Sequence, residues 1–251
     1  MPIRESILFA DIGNSRIKLF KEGVKNAYHY KNNDFATQLS SYLQLERFEK
    51  VVYSSTSTNV ENIFLTFVRN KKVFDSVNVK ELLTNQNIIN LSNVKNMGQD
   101  RWLGLMGAIA YAEPPIITID CGTAVTVNVL DYKYDVLGGA IFAGAYTQKN
   151  TLASLSEKLF FPKMNFTANQ IGQDTPSSIS YGIVFGIAGA VQKIIENIKS
   201  TFGFNNPSIF FTGGYGGKIL THLEDVFPNA IYDENLVFRG MAKLYENVND
   251  R

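Results

Sequence analysis

The sequence predicts an α/β protein in which one unit is used twice. Three observations point there. Each half opens on three strand-like runs and continues into helical patterns; the order begins again after Pro115; and an Asp-x-Gly interrupts a strand at matching places, in "FADIGNSRIKLF" (9–20) and "TIDCGTAVTVNV" (118–129). Setting Ile7 on Ile116 aligns Asp11 with Asp120 and Gly13 with Gly122, the kind of internal similarity that marks a duplication. Two such halves imply a cleft between them.

The elements follow in order. "SILFADIG" is a β-branched and aromatic run that ends in turn residues, so it reads as a strand. "SRIKLF" alternates polar and apolar, as a half-buried neighbouring strand does, and "VKNAYHY" supplies a third. "DFATQLSSYLQLERF" carries Phe35, Leu39, Tyr42 and Leu43 at helical spacing, with Asp34 placed to cap it. "KVVYSSTS" reads as a strand and "NVENIFLTFVRN" as a helix; "GQDRWLGLMGAIAYAE" reads as a helix that stops before Pro114 and Pro115. In the second half "IITID", "TAVTVNVL" and "YDVLGGAIF" are strands and 144–159 a helix. "PSSISYGIVFGIAGAVQKIIENIKS" is a long helix with proline in its first turn, "SIFFTGG" a buried strand, and "NLVFRGMAKLYENV" a final helix.

Composition narrows the function. The 251 residues carry 24 Lys and Arg against 23 Asp and Glu, a net charge of +1, which offers no basic footprint for nucleic acid or a membrane surface. One cysteine excludes an internal disulfide and a cysteine-cluster zinc site. No uninterrupted apolar run reaches the ~20 residues of a membrane span, and the N-terminus lacks a signal-peptide layout. A cytoplasmic protein without nucleic-acid or membrane partners is expected.

The interrupted strands suggest the chemistry. Glycine at a tight hairpin lets a ligand approach the main chain, and exposed N–H groups with Asn14, Ser15, Thr123 and Thr126 beside them suit phosphate oxygens. An aspartate just before the turn can hold Mg²⁺, which binds through one or two carboxylates plus substrate phosphates. Either motif alone reads better as a plain turn with a turn acid. The pair favours phosphate binding.

Taken together and in order, "DIGNSRIK", "GQDR", "DCGTAVT", "GGAIFAG", "DTPSSISYG" and "TGG" resemble the type III pantothenate kinases, of the actin, sugar-kinase and heat-shock-chaperone ATPase superfamily. The resemblance spans essentially the whole chain. It implies duplicated ribonuclease H-like (actin-like ATPase) domains, 1–114 and 115–251, each a mixed sheet with flanking helices, the last helix packing back on the first domain. It also implies ATP-dependent phosphorylation of pantothenate to 4′-phosphopantothenate, at the start of coenzyme A synthesis.

By the same resemblance, Asp11, Gly13, Asn14, Ser15 and Lys18 form one ATP-phosphate loop, with Asp11 beside Mg²⁺, and Gly122 and Thr123 belong to the other. Asp120 would hold a monovalent cation, potassium or ammonium. Gly98, Gln99, Asp100 and Arg101 would form the pantothenate segment, with Asp100 as general base. Thr175 would reach pantothenate across the interface of an obligate homodimer. Read without the family, Lys18 is an outward-facing strand lysine, Asp100 an acid at a helix start, and Thr175 with Asp174 a pair of cap candidates. The chain departs from the family pattern at Ala143, usually proline, and at Leu91, often a substrate-touching tyrosine.

Cys121, His29, His222 and Trp102 read as packing or surface residues. The glycines of "YGIVFGIAGAV" read as small-residue packing between helices, here across the expected dimer. The competing functions are a non-catalytic regulator on the same scaffold and another small-molecule kinase or phosphatase of the superfamily. Asp11, Lys18, Asp100 and Asp120 together argue against the regulator.

Overall fold

A computed structural model describes residues 6–30, 32–72, 75–155, 164–167 and 170–249. The first strands are β1 (Ile7–Ile12), β2 (Arg16–Lys21) and β3 (Val24–His29), followed by α1 (Phe35–Leu45), β4 (Lys50–Ser55) and α2 (Thr58–Asn70). Then come β5 (Asp75–Asn78), α3 (Val79–Leu82) and α4 (Gln99–Ala108). The order restarts with β6 (Ile116–Cys121), β7 (Ala124–Leu130), β8 (Val136–Ala143), α5 (Ala145–Ser154), α6 (Thr175–Phe202) and β9 (Ser208–Thr212). It closes with α7 (Gly216–Leu220), β10 (Ile231–Tyr232) and α8 (Leu236–Asn249).

The chain divides into two compact units. One comprises the chain up to Ile89, Asn96–Ala110 and the chain from Val237; the other comprises Asn90–Lys95 and Tyr111–Leu236. Each holds one five-stranded mixed sheet, ordered β3-β2-β1-β4-β5 in the first and β10-β9-β6-β7-β8 in the second. In each, three antiparallel strands come first and two parallel ones follow, so β6 corresponds to β1 and β9 to β4. The duplication inferred from two Asp-x-Gly motifs is therefore a duplication of topology.

In the first unit Phe35, Leu39 and Leu43, spaced by four, place the apolar stripe of α1 on the sheet. Phe64 and Val68 of α2 join them, over Leu8, Ala10, Ile12, Ile17, Leu19, Val51 and Tyr53. Burying a side chain such as Phe64 contributes about 1.5–3 kcal/mol. Asp34 occupies the cap position of α1, but its carboxylate accepts from the Gln38 side chain at 2.5 Å and caps no backbone N–H. The final helix contributes here too: Phe238 stacks on Phe20 with ring centroids 5.2 Å apart, and Lys50 Nζ donates to Tyr245 Oη at 2.6 Å.

In the second unit α6 buries Ile183, Val184, Ile187, Ala188, Val191, Ile195 and Ile198 against Ile117, Ile119, Val127 and Phe211 of the sheet. Its 28 residues contain an 18-residue window of mean hydropathy 1.4, so by length and composition it could cross a membrane. Packing of one face into this core is the alternative use of such a helix. The helix expected at 144–159 is seen over Ala145–Ser154, and 156–159 lie outside the described residues. The helix expected over 98–113 ends at Ala108, where turn bonds from Ile109 and Ala110 to Leu105 and Gly107 take over.

Candidate active site

The first hairpin is built around Asp11. Register places Asp11 opposite Lys18 on β2 and beside Ser54 on β4. Its carboxylate accepts from both: Lys18 Nζ lies 3.0 Å from Oδ2 and Ser54 Oγ 3.1 Å from Oδ1. Lys18 is thus drawn across to Asp11, with side-chain exposures of 22% and 11% for the pair. The turn itself is closed by Gly13 N–H donating to Arg16 O at 3.1 Å, with Asn14 and Ser15 exposed at its tip.

The "GQDR" segment starts α4 in the same unit. Gln99 is buried, and its amide engages the end of β4 with both atoms: Nε2 donates to Ser55 O at 3.0 Å and Oε1 accepts from Ser55 N–H at 3.4 Å. Asp100 follows in the first turn, where the N-terminal dipole favours a negative charge. Its Oδ1 accepts from Arg101 N–H at 3.0 Å. A side chain at Gly98 would place its Cβ 2.7 Å from that same oxygen, so Gly98 makes room for the Asp100 carboxylate. Burial lowers the Arg101 guanidinium from its usual value, and the nearby Asp100 charge opposes that shift. One polar chain therefore runs from Asp11 to Ser54, through the neighbouring Ser55 to Gln99, and so to Asp100.

The second hairpin repeats the plan with a shorter turn. Asp120 stands opposite Thr126, so the loop has one residue fewer than the one between Asp11 and Lys18. Gly122 N–H donates to Ala124 O at 3.0 Å. Thr123 O accepts from Gly144 N–H at 2.9 Å and from Thr147 Oγ1 at 2.6 Å, which ties the start of α5 to the turn. A Cβ on Gly144 would lie 2.1 Å from Gly122 O, too close for any side chain. Gly213 has φ +82 and packs on Asp120, where a Cβ would lie 2.2 Å from Oδ1. Only glycine suits both the left-handed angle and that contact. Cys121 is buried beside Asp120, and burial first, then the Asp120 charge, pushes its thiol up, as in an inert packed cysteine.

Of the other positions singled out, Ala143 pairs with Ala124 beside the second hairpin, and the rest lie in other segments. Asp174 caps α6 in a reciprocal box with Ser177, accepting from Ser177 N–H at 2.8 Å, and Thr175 is the exposed first helical residue. Ala143 ends β8, its carbonyl accepting from Gln148 Nε2 at 2.8 Å. Leu91 lies in the short segment assigned to the second unit. Ser54 and Tyr30, whose hydroxyl donates to Gly13 O at 2.8 Å, were not singled out from sequence; both act through partners far away in the chain.

Among the described residues, no cluster of three or more His, Cys, Asp or Glu could hold a metal ion. A divalent ion can be carried chiefly by substrate phosphates with one protein carboxylate; Asp11 is one such carboxylate, its two oxygens here accepting from Lys18 and Ser54.

A profile of the family described as type III pantothenate kinase matches residues 7–197. A relative named type III pantothenate kinase, from Thermosipho africanus, is 31% identical over 96% of this chain and 99% of its own length. Another of that name, from Sulfurihydrogenibium, is 30% identical over 94% of this chain and 97% of its own. A crystal structure from Campylobacter jejuni, of a conserved protein assigned to the Baf family of transcriptional activators, superposes with a TM-score of 0.64. It has 21% identity and covers 97% of this chain and 100% of that one, which supports the shared fold alone.

Proposed function

The chain belongs to the type III pantothenate kinase family, and from that premise we propose that it phosphorylates pantothenate with ATP, giving 4′-phosphopantothenate for coenzyme A synthesis. The observation that carries the residue-level reading is that adjacent residues of β4 bind both ends of the site within one unit, Ser54 to Asp11 of the first glycine hairpin and Ser55 to Gln99 of the segment bearing Asp100.

In this reading Gly13, Asn14, Ser15 and Lys18 of the first hairpin bind ATP phosphates, and Gly122 and Thr123 of the second hairpin are phosphate-binding residues of their own unit. Gly98, Gln99, Arg101 and Thr175 serve the pantothenate side. Gln99 does so by position, because its amide already engages Ser55. Asp100 orients the primary hydroxyl and takes its proton. The hydroxyl oxygen bonds to the γ-phosphorus while the bond to the β-phosphate oxygen breaks, releasing ADP. Such transfer depends mostly on positioning and charge stabilisation, which a preorganised carboxylate and fixed donors supply.

Asp11 would hold Mg²⁺ and Asp120 the potassium or ammonium ion. Bound there, the cations would offset phosphate charge. We further propose a cytoplasmic homodimer with the site shared between subunits. Thr175 stands exposed at the head of α6, and Gly182, Gly186 and Gly189 leave open space along that helix for a second copy.

A coupled assay for ADP release tests the proposal, with pantothenate against pantetheine and common sugars. Turnover restricted to sugars, or none with pantothenate, would overturn it.

A further inference from the structure

The first hairpin is held from behind by a residue outside every motif. Tyr30 lies just beyond β3. Its main-chain N–H donates to Ser15 O at 3.2 Å and its phenol donates to Gly13 O at 2.8 Å, so one residue binds two carbonyls of a single turn. The ring is itself fixed, meeting Phe35 edge-on with centroids 5.1 Å apart and packing on the core of the first unit.

A trans peptide points its C=O and the following N–H in opposite directions. Pinning the Gly13 carbonyl toward Tyr30 therefore turns the N–H of the exposed Asn14 away from Tyr30. Donors aimed before the ligand arrives need no reorganisation on binding. We infer that Tyr30 is a positioning residue for the nucleotide's phosphates, presenting the main-chain N–H of Asn14 in the exposed turn. This rests on the kinase reading above. Burial, followed by the Asp11 charge, raises the phenol from its ordinary value, so it remains a donor across the physiological range.

The test is Tyr30→Phe in the full-length protein, which keeps the ring and removes the hydroxyl. Steady-state kinetics with pantothenate are paired with direct calorimetric binding of ATP and of adenosine. Losing the aligned donor should raise both KM and Kd for ATP about tenfold, the scale of one lost hydrogen bond. KM for pantothenate and the affinity for adenosine should hold within about twofold, because neither uses the turn. An unchanged ATP affinity, or an equal loss for ATP and adenosine, would overturn the inference while leaving the kinase reading standing. Wild-type protein that binds ATP but does not turn over pantothenate would instead refute the kinase reading, and the ATP-against-adenosine comparison would still decide the role of Tyr30.

Discussion

Gln99 grips the backbone of Ser55 with both ends of its amide, accepting from its N–H and donating to its C=O. This fixes the start of α4 on the last residue of β4, one residue from the serine that holds Asp11. Gln99→Ala should free α4 and leave a part-buried backbone pair without its partner, a cost of about 1 kcal/mol. The expected result is a lower Tm and a fall of at least tenfold in kcat/KM for pantothenate. Unchanged kinetics with a lowered Tm would limit Gln99 to stability.

Asp100→Asn keeps the shape of the side chain and removes its basicity. General-base catalysis is worth about 10²–10⁴-fold, so turnover should fall by that order while ATP binding and Tm stay near wild type. Full activity in the variant would remove the base assignment.

Ser54→Ala removes a buried donor to the Asp11 carboxylate. Hydrogen bonds to charged groups are worth about 1.5–3 kcal/mol, so stability to urea should fall by that scale. KM for ATP should rise as Asp11 loses its fixed orientation. An ATP KM equal to wild type would show that Lys18 alone suffices to hold it.

Gly213→Ala forces a left-handed angle on a side chain, costing roughly 1–2 kcal/mol, and drives a methyl toward Asp120 Oδ1. Turnover of wild-type protein should be suppressed without potassium and ammonium. The variant should need more of either ion to reach half-maximal rate. Wild-type turnover indifferent to both ions would count against the role of Asp120.

The α6 cap makes stability depend on pH. The Ser177 hydroxyl, then its N–H, bonds the charged Asp174 carboxylate and holds it below its ordinary value of 3.8. A depressed folded value means the stabilisation is present above the unfolded value, near pH 4, and is lost as pH falls through the lower folded one. Asp174→Ala should therefore lower Tm at pH 7, with the gap to wild type closing in acid. A gap that persists at pH 2 would exclude the charged cap as its source.

The legible parts of this protein were those whose cause lies within a few residues. The three-strand openings, the glycine turns after Asp11 and Asp120, and the period-four stripe of α1 are local patterns. Both Asp-x-Gly hairpins could be read because chain direction must reverse where the alternation breaks. β5 and β10 could not: they have four and two residues, and sheet pairing rather than propensity makes them strands. Local pattern was enough for the duplicated α/β order and for which acids and glycines stand at the turns. Tertiary structure alone decided that Ser54 would meet Asp11, that Tyr30 would stand behind Gly13, and that Gln99 would bind Ser55. Those contacts depend on strand register and on where α4 lands, and such long-range pairings leave no periodic trace in the chain.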